Sequence, residues 1–340
     1  MREKPESLAL GIDLGGTKIL TAVVNARGKM LSRDQSITPV ARGQDAVIQA
    51  IIQSAGRALE QAGTVASPLA AVGVGAPGLS NPETGVLFTS PNLPGWRDVP
   101  LRDMIGKELG RKTFLINDAN AAALGELYYG AAKGARNFIY ITISTGIGGG
   151  IVIDGKIYTG ATGFAGELGH MTIDEDGPLC NCGNRGCWEA LASGTAIARD
   201  ARHLIEQGAR TSILDYAGGD LQKVTAEVIH TAARAGDSLA QELIARTGYY
   251  FGVGLASLIN LFNPELIVIG GGLSNIGDML LQPAYRVAGE RAYKQAYKAV
   301  RFSRAELGGD SGVLGAAAFA LGEIKRTVGS QLGRRAVTKA

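Results

Sequence analysis

Cysteine, histidine and tryptophan are scarce in this chain of 340 residues, and neither sign of charge prevails. Three cysteines leave one unpaired whatever the pairing, and a bridge between Cys180 and Cys182 would be strained, so a disulfide framework is not expected. The net charge of +3 carries no basic footprint of a nucleic-acid surface. No run of eighteen uncharged apolar residues occurs, so no membrane span is expected. The opening M-R-E-K-P-E-S is charged on both sides and has no apolar core, so no secretory leader is expected. A Walker phosphate loop, G-x-x-x-x-G-K-[ST], is missing as well. The length suffices for two domains with a large core. The 49 glycines point to many turns and close backbone approaches.

The few soft ligands lie together. His170, Cys180, Cys182 and Cys187 fall within one short stretch that ends C-N-C-G-N-R-G-C-W-E. Three thiols and an imidazole are a complete tetrahedral set for a structural Zn2+. Gly183 and Gly186 let the backbone turn tightly around an ion. Reduced, metal-bound thiols suit a cytoplasmic location. Glu167 and Glu189 flank the cluster. Ion pairing or simple solvation would account for either, and carboxylates beside a rigid knot also suit the gripping of a polar ligand.

Apolar periodicity predicts strands at 8–14, 18–25 and 29–36, a helix over 43–62 and a buried strand at 69–76. A helix at 101–109, a strand at 113–116 and an alanine-rich helix after Asp118 follow. The order then restarts. Strands at 138–144 and 151–154 flank a glycine turn at 146–150. Helices are expected at 190–207 and 225–261, and a very apolar strand at 266–269. This weak internal repeat predicts an α/β protein of two lobes with a cleft between them. Residues 1–118 make the smaller lobe, joined by a C-terminal helix at 313–326. Residues 119–312 make the larger lobe with the zinc loop 170–187, and 327–340 form a frayed basic tail.

Each half opens with a hairpin whose turn is glycine: Asp13-Leu14-Gly15-Gly16-Thr17-Lys18, and Ser144-Thr145-Gly146 onward. Both join strand to strand, unlike a Rossmann turn. Such turns present N–H groups to an anion, although a tight hairpin without a ligand looks the same in sequence. Asp13, at a strand end, is placed to hold Mg2+ through water. Gly270, Gly271 and Gly272, followed by Leu273, would let a base and ribose lie against the backbone. Asn117 and Asp118 sit where a strand meets a helix. Asp118 is a good N-cap, and an ionised carboxylate there can also take a proton from an attacking hydroxyl.

These motifs resemble the ROK family, within the sugar-kinase, actin and heat-shock chaperone superfamily. D-L-G-G-T-K, G-E-L-G-H at 166–170 and the cysteine run carry the likeness, which covers almost the whole chain. The resemblance implies a two-lobed actin-like, ribonuclease H-like fold. It also implies a hexose kinase that uses ATP with Mg2+ on the 6-hydroxyl of glucose, the activity of the family's bacterial glucokinases. N-acetylglucosamine, N-acetylmannosamine, mannose or fructose as substrate, or polyphosphate as donor, are the alternatives. The family's repressors carry an N-terminal helix-turn-helix domain, for which Asp13 comes too early, so a sugar-sensing regulator is disfavoured. By resemblance, Asp13 and Gly15 to Lys18 face the phosphates and Mg2+, and Thr145, Gly146 and Gly270 to Leu273 serve the nucleotide. Asn117 and Asp118 hold the sugar, with Asp118 as general base. Glu167, His170 and Glu189 take the hydroxyls at the far end of the ring, while Ala76, Pro77, Gly78 and Asn92 line the same pocket. The partners implied are a hexose and a nucleotide, with no nucleic acid or membrane, in a homodimer or homotetramer.

Overall fold

The computed structural model describes residues 7–64 and 69–337, with side chains described to residue 327. The reading of a leader-free start falls on residues 1–6, and the end of the basic tail on 338–340, both outside the described residues.

The chain begins as a meander. Strands β1 (Leu8–Leu14), β2 (Lys18–Asn25) and β3 (Met30–Ile37) pair antiparallel in order. Helix α1 (Gln44–Gln61) crosses to β4 (Leu69–Ala76), which runs parallel beside β1. Three short strands, β5 (Leu79–Asn81), β6 (Val86–Thr89) and β7 (Arg97–Val99), make a small sheet of their own. Helix α2 (Leu101–Leu109) returns the chain to β8 (Thr113–Asn117), parallel to β4, and α3 (Asp118–Tyr129) follows at once. The main sheet has the order β3-β2-β1-β4-β8.

The pattern then repeats. Strands β9 (Phe138–Ile143), β10 (Ile147–Ile153) and β11 (Lys156–Ile157) form the second meander. Helices α4 (Trp188–Ala192), α5 (Gly194–Glu206), α6 (Ile213–Tyr216), α7 (Ala226–Arg234) and α8 (Ser238–Phe262) precede β12 (Leu266–Gly270). Then come α9 (Asp278–Arg291), α10 (Lys294–Ala299), β13 (Arg301–Arg304) and the long α11 (Ser311–Val337). The sheet order, β11-β10-β9-β12-β13, reproduces that of the first sheet strand for strand.

Two compact units result. The first comprises the chain up to Ala135, Gly150–Gly166 and everything from Ala305; the second comprises Arg136–Gly149 and Glu167–Arg304. The division expected after Asp118 therefore falls later. Helix α3 stays with the first unit because it packs along α11, which itself lies on β1 and β4. Alternation along β1 sorts the first unit's core into two layers. Leu10, Ile12 and Leu14 join Val47, Ile51, Leu101 and Ile105, while Ala9 joins Val313, Leu314 and Ala317.

Some predicted boundaries fail for local reasons. The helix predicted at 190–207 is broken at Ser193, whose side chain caps α5 by accepting from the Ala196 N–H. The one predicted at 225–261 is broken at Gly236, with φ of 99°, and restarts under an Asp237 cap. Gly148, Gly149 and Gly150 lie in β10 and not in a turn; a side chain on Gly149 would collide with Leu168. Helix α11 runs on through the expected tail to Val337.

Helix α11 approaches the sheet closely only because glycines face it. A Cβ on Gly73 of β4 would run into the Ala316 carbonyl, and one on Gly11 of β1 into that of Val313. Gly73→Val should therefore destabilise the protein by at least about 2 kcal/mol in urea unfolding. An unchanged midpoint would remove this account of the packing.

Candidate active site and metal centre

The candidate residues fall into two groups, one in each unit. In the first unit the C-terminal ends of β1, β4 and β8 lie side by side, with Asp13 opposite Gly75 and Ala76 opposite Asn117. Such strand ends are where α/β sheets bind ligands. The strands of Asp13 and Asn117 are two ladder spacings apart, roughly 10 Å, with β4 between them. Gly75 lets the start of α3 lie close to β4: a Cβ there would come 3.3 Å from the Ala121 Cβ and 3.7 Å from the Asp118 Cα.

The cap of α3 differs from expectation. Asn117 is the N-cap, accepting the N–H groups of Ala119 at 3.0 Å and Asn120 at 3.1 Å. Asp118 is the first helical residue, and its Oδ1 accepts the Ala119 N–H at 2.8 Å. The cap role thus belongs to Asn117, which also donates through Nδ2 to the Gly78 carbonyl at 3.3 Å. That bond ties the Ala76-Pro77-Gly78 turn to the start of the helix. Gly78 has φ of 97° and sits against Ser90, two residues before Asn92.

The first glycine hairpin closes through the Gly15 N–H, which donates to the Lys18 carbonyl at 2.9 Å, and is braced by Thr38 Oγ1 donating to the Gly15 carbonyl at 2.7 Å. Gly16 packs on Asn92, where a Cβ would come 2.9 Å from the Asn92 Cβ. Burial pushes the Asp13 carboxyl up to about 6; Lys18 pulls it down and Asp310 adds to the rise. The α11 end meets this carboxylate at Gly312, where a Cβ would stand 2.8 Å from Asp13 Cγ. Sequence reasoning missed Asp310 and Gly312. No local signal marks them, since they reach Asp13 from nearly 300 residues away along the chain.

In the second unit the four soft ligands converge. The donor atoms of His170, Cys180, Cys182 and Cys187 all lie within 4.8 Å of one another. Cys182 and Cys187 sulfurs are 3.7 Å apart, and a tetrahedral zinc with bonds of about 2.3 Å separates two sulfurs by about 3.8 Å. The three thiols are free. His170 Nδ1 faces Cys180 at 3.7 Å, while Nε2 faces Glu167 at 3.9 Å. One ring nitrogen is therefore turned into the thiol cluster and the other toward a carboxylate. Two turns shape the loop, with Gly183 N–H donating to the Cys180 carbonyl at 2.9 Å and Cys180 N–H to that of Asn184 at 2.7 Å. Trp188, next to Cys187, anchors it: fully buried, it stacks on Phe251 at 5.1 Å and donates to the Tyr250 carbonyl at 3.0 Å.

Glu189 works within this unit. Its Oε2 accepts the Ile147 N–H at 2.9 Å, and a Cβ on Gly146 would collide with that oxygen. The second hairpin is thereby fastened to the segment that follows the cysteine loop. Thr195 also binds it, donating to the Thr145 carbonyl at 2.7 Å. Gly270 pairs with Thr142, Gly271, with φ of 86°, lies against the Ile143 backbone, and a Cβ on Gly272 would lie 3.7 Å from the Ser144 Oγ, so this glycine turn meets the end of β9 where the second hairpin begins. Burial raises the Glu167 carboxyl; His170 lowers it and Glu189 raises it further.

A doubled meander-and-crossover sheet, with a glycine hairpin opening each copy, defines the sugar-kinase and actin-like class of α/β proteins. Within that class, the sequence profile of the ROK family matches residues 9–323, and the chain belongs to that family. It is similar to a glucokinase of Thermotoga maritima, 37% identical over 325 residues, covering 96% of this chain and 99% of the relative. A glucokinase of Halalkalibacterium halodurans is 39% identical over 308 residues, 90% of this chain and 92% of its own. The crystal structure of a ROK family glucokinase from Streptomyces griseus in complex with glucose and AMPPNP aligns with a TM-score of 0.79 at 35% identity, over 92% of this chain and 99% of that one. Among the described residues, no helix is long and apolar enough to cross a membrane.

The raised Asp13 carboxyl has a consequence for stability. The folded protein holds this proton up to pH about 6, whereas the free side chain loses it near 3.8. Stability should fall as pH rises between those values and stay lowered above them. Since part of the side chain remains open to water, the cost is about 1–3 kcal/mol. In Mg2+-free buffer Asp13→Asn should raise the unfolding temperature at pH 8 but not at pH 4. Equal effects at both pH values would refute the burial of charge at Asp13.

Proposed function

We propose that this protein transfers the γ-phosphoryl group of ATP to the 6-hydroxyl of glucose. The observation that carries this reading is the near full-length likeness to glucokinases, one of them solved with glucose and an ATP analogue. The arrangement of the chain's own carboxylates supports it. Asp118, in the first turn of α3 where the helix dipole favours negative charge, accepts the proton of the attacking hydroxyl. Asn117 and the Gly78 turn hold the same end of the sugar. Glu167, Glu189 and His170, through its Nε2, bind sugar hydroxyls.

Asp13 and the Gly15 to Lys18 hairpin fit a magnesium–phosphate group: the carboxylate is costly to bury alone and becomes stable once a cation faces it. Mg2+ supplies neutralisation of charge on the transferring phosphoryl group. Thr145, Gly146 and the Gly270 to Leu273 turn offer backbone N–H groups and flat backbone to the nucleotide. The Cys3His cluster fits a structural Zn2+, held by Cys180, Cys182, Cys187 and His170 Nδ1. Fixing that ring would set the direction of Nε2, so His170 would be oriented toward a sugar hydroxyl by an ion that does not itself touch sugar.

Three measurements test this. A coupled ADP-release assay over a panel of hexoses, with ATP and then polyphosphate, should give its highest kcat/KM with glucose and ATP; a different best sugar or donor would replace the assignment. Asp118→Asn should lower kcat by roughly a hundredfold or more while weakening glucose binding far less; a variant keeping a tenth of wild-type turnover would exclude Asp118 as the base. Metal analysis should find about one zinc per chain, lost in Cys182→Ser together with most glucose affinity. Full glucose affinity in metal-free protein would show that the ion has no such part.

A further inference from the structure

Glu126 sits two turns into α3, is fully buried and has no part in the chemistry just described. Its Oε2 accepts the N–H of Ala131 at 2.8 Å and of Glu306 at 3.2 Å; its Oε1 accepts that of Leu307 at 3.0 Å. Gly130 leaves room for the group, since a Cβ there would collide with Oε2. Burying a carboxylate is costly unless hydrogen bonds replace its water, and bonds from main-chain amides to a carboxylate are among the stronger ones available. An apolar side chain would avoid that cost, so what the carboxylate adds is the fastening of the segments it binds.

Those segments are particular. Ala131 begins the stretch that leaves the first unit after Ala135, and Glu306 and Leu307 lie where the chain has just returned to it. From Leu307 the chain makes a short turn, with the Asp310 N–H donating to the Leu307 carbonyl at 3.1 Å. Asp310 pairs with Arg33 of β3 at 3.2 Å, and Gly312 follows, against the Asp13 carboxylate. One buried side chain thus joins the helix that starts at Asp118 to the segment that walls Asp13.

We propose that Glu126 is a positioning residue: it fixes the 306–312 segment against Asp13 and so keeps Asp13 in register with the helix bearing Asp118. This rests on the kinase reading above for its effect on turnover, but not for its effect on the segment itself. A carboxylate with two acceptor oxygens suits three N–H donors; an amide turns an NH2 group toward some of them, and an aspartate is one methylene short.

The test uses the full chain as Glu126→Gln and Glu126→Asp, with Ser54→Ala as a control. Ser54 bonds Asp34 and Thr21 in the same unit and stands outside the proposed site. Amide exchange followed by mass spectrometry should accelerate about tenfold or more across residues 306–310 in the Glu126 variants and stay unchanged there in the control. Their kcat should fall about tenfold or more while KM for glucose moves less than about threefold. Wild-type exchange and turnover in Glu126→Gln would overturn the proposal, and so would the same kinetic loss in Ser54→Ala. Should neither Glu126 variant fold, exchange in the wild type decides: protected amides at 131, 306 and 307 uphold the clamp, and freely exchanging ones reject it. Should the wild type phosphorylate no hexose, the kinase reading fails, and the exchange arm judges the clamp alone.

Discussion

The first unit depends on main chain packed directly on main chain. Helix α11 lies on β1 and β4, and α3 lies along α11, at a distance that permits no side chain at several contact points. Gly11 and Gly73 face it from the sheet, and Gly125 and Gly315 face each other's helices. A helix held this close brings its own N-terminal end to the strand ends. That is how Gly312 comes to lie under Asp13, and how α3 starts at the strand end of Asn117. The same close approach sorts the faces of β1: Asp13 shares the α11 face with Ala9 and Gly11, while Leu10, Ile12 and Leu14 fill the opposite core. Bulk at any contact would move the helix, and with it the carboxylate's surroundings.

The second unit solves a similar problem by other means. Its cysteine-bearing loop has little regular structure and few apolar residues, so packing alone cannot make it rigid. Three thiols and an imidazole collected within 4.8 Å give it a covalent-strength knot when an ion is bound. Trp188 plants the knot in the core, and Glu189, one residue further on, ties it to the second hairpin through Ile147. Rigidity therefore passes along the sequence from the thiol–imidazole cluster to a carboxylate and then to a glycine turn.

The cost of such sites is visible in the carboxylates. Asp13 and Glu167 are both pushed up by burial, and both have a cationic or ionisable neighbour that offsets part of the rise, Lys18 for one and His170 for the other. A carboxyl kept partly dehydrated interacts more strongly with an arriving cation or hydroxyl than one in water, at some expense in stability without ligand.

Several features were legible in the sequence because they are local. The apolar runs of β1, β2, β4 and β12, the two glycine hairpins, the doubled order of elements and the metal-ligand spacing all depend on residues close together in the chain. So did the placing of Asn117 and Asp118 at a strand end, although which of them caps the helix turned on the direction of one side chain, which spacing does not encode. Helix breaks at Ser193 and Gly236 escaped because apolar periodicity continues across them, whereas capping geometry does not. The short strands β5, β6, β7, β11 and β13 exist only as partners in pairing and have too few residues to show a period. Asp310, Gly312 and Glu126 were invisible for a further reason. Each acts on a group brought near by the return of the chain from the second unit. A contact between residues 13 and 312 is decided by the path of the backbone through two sheets, and no window of sequence contains it. The residue types that can do the chemistry were thus set by the sequence alone, while their grouping, their burial and the backbone that holds them were decided by the tertiary structure, because only closed packing sets distances between residues far apart in the chain.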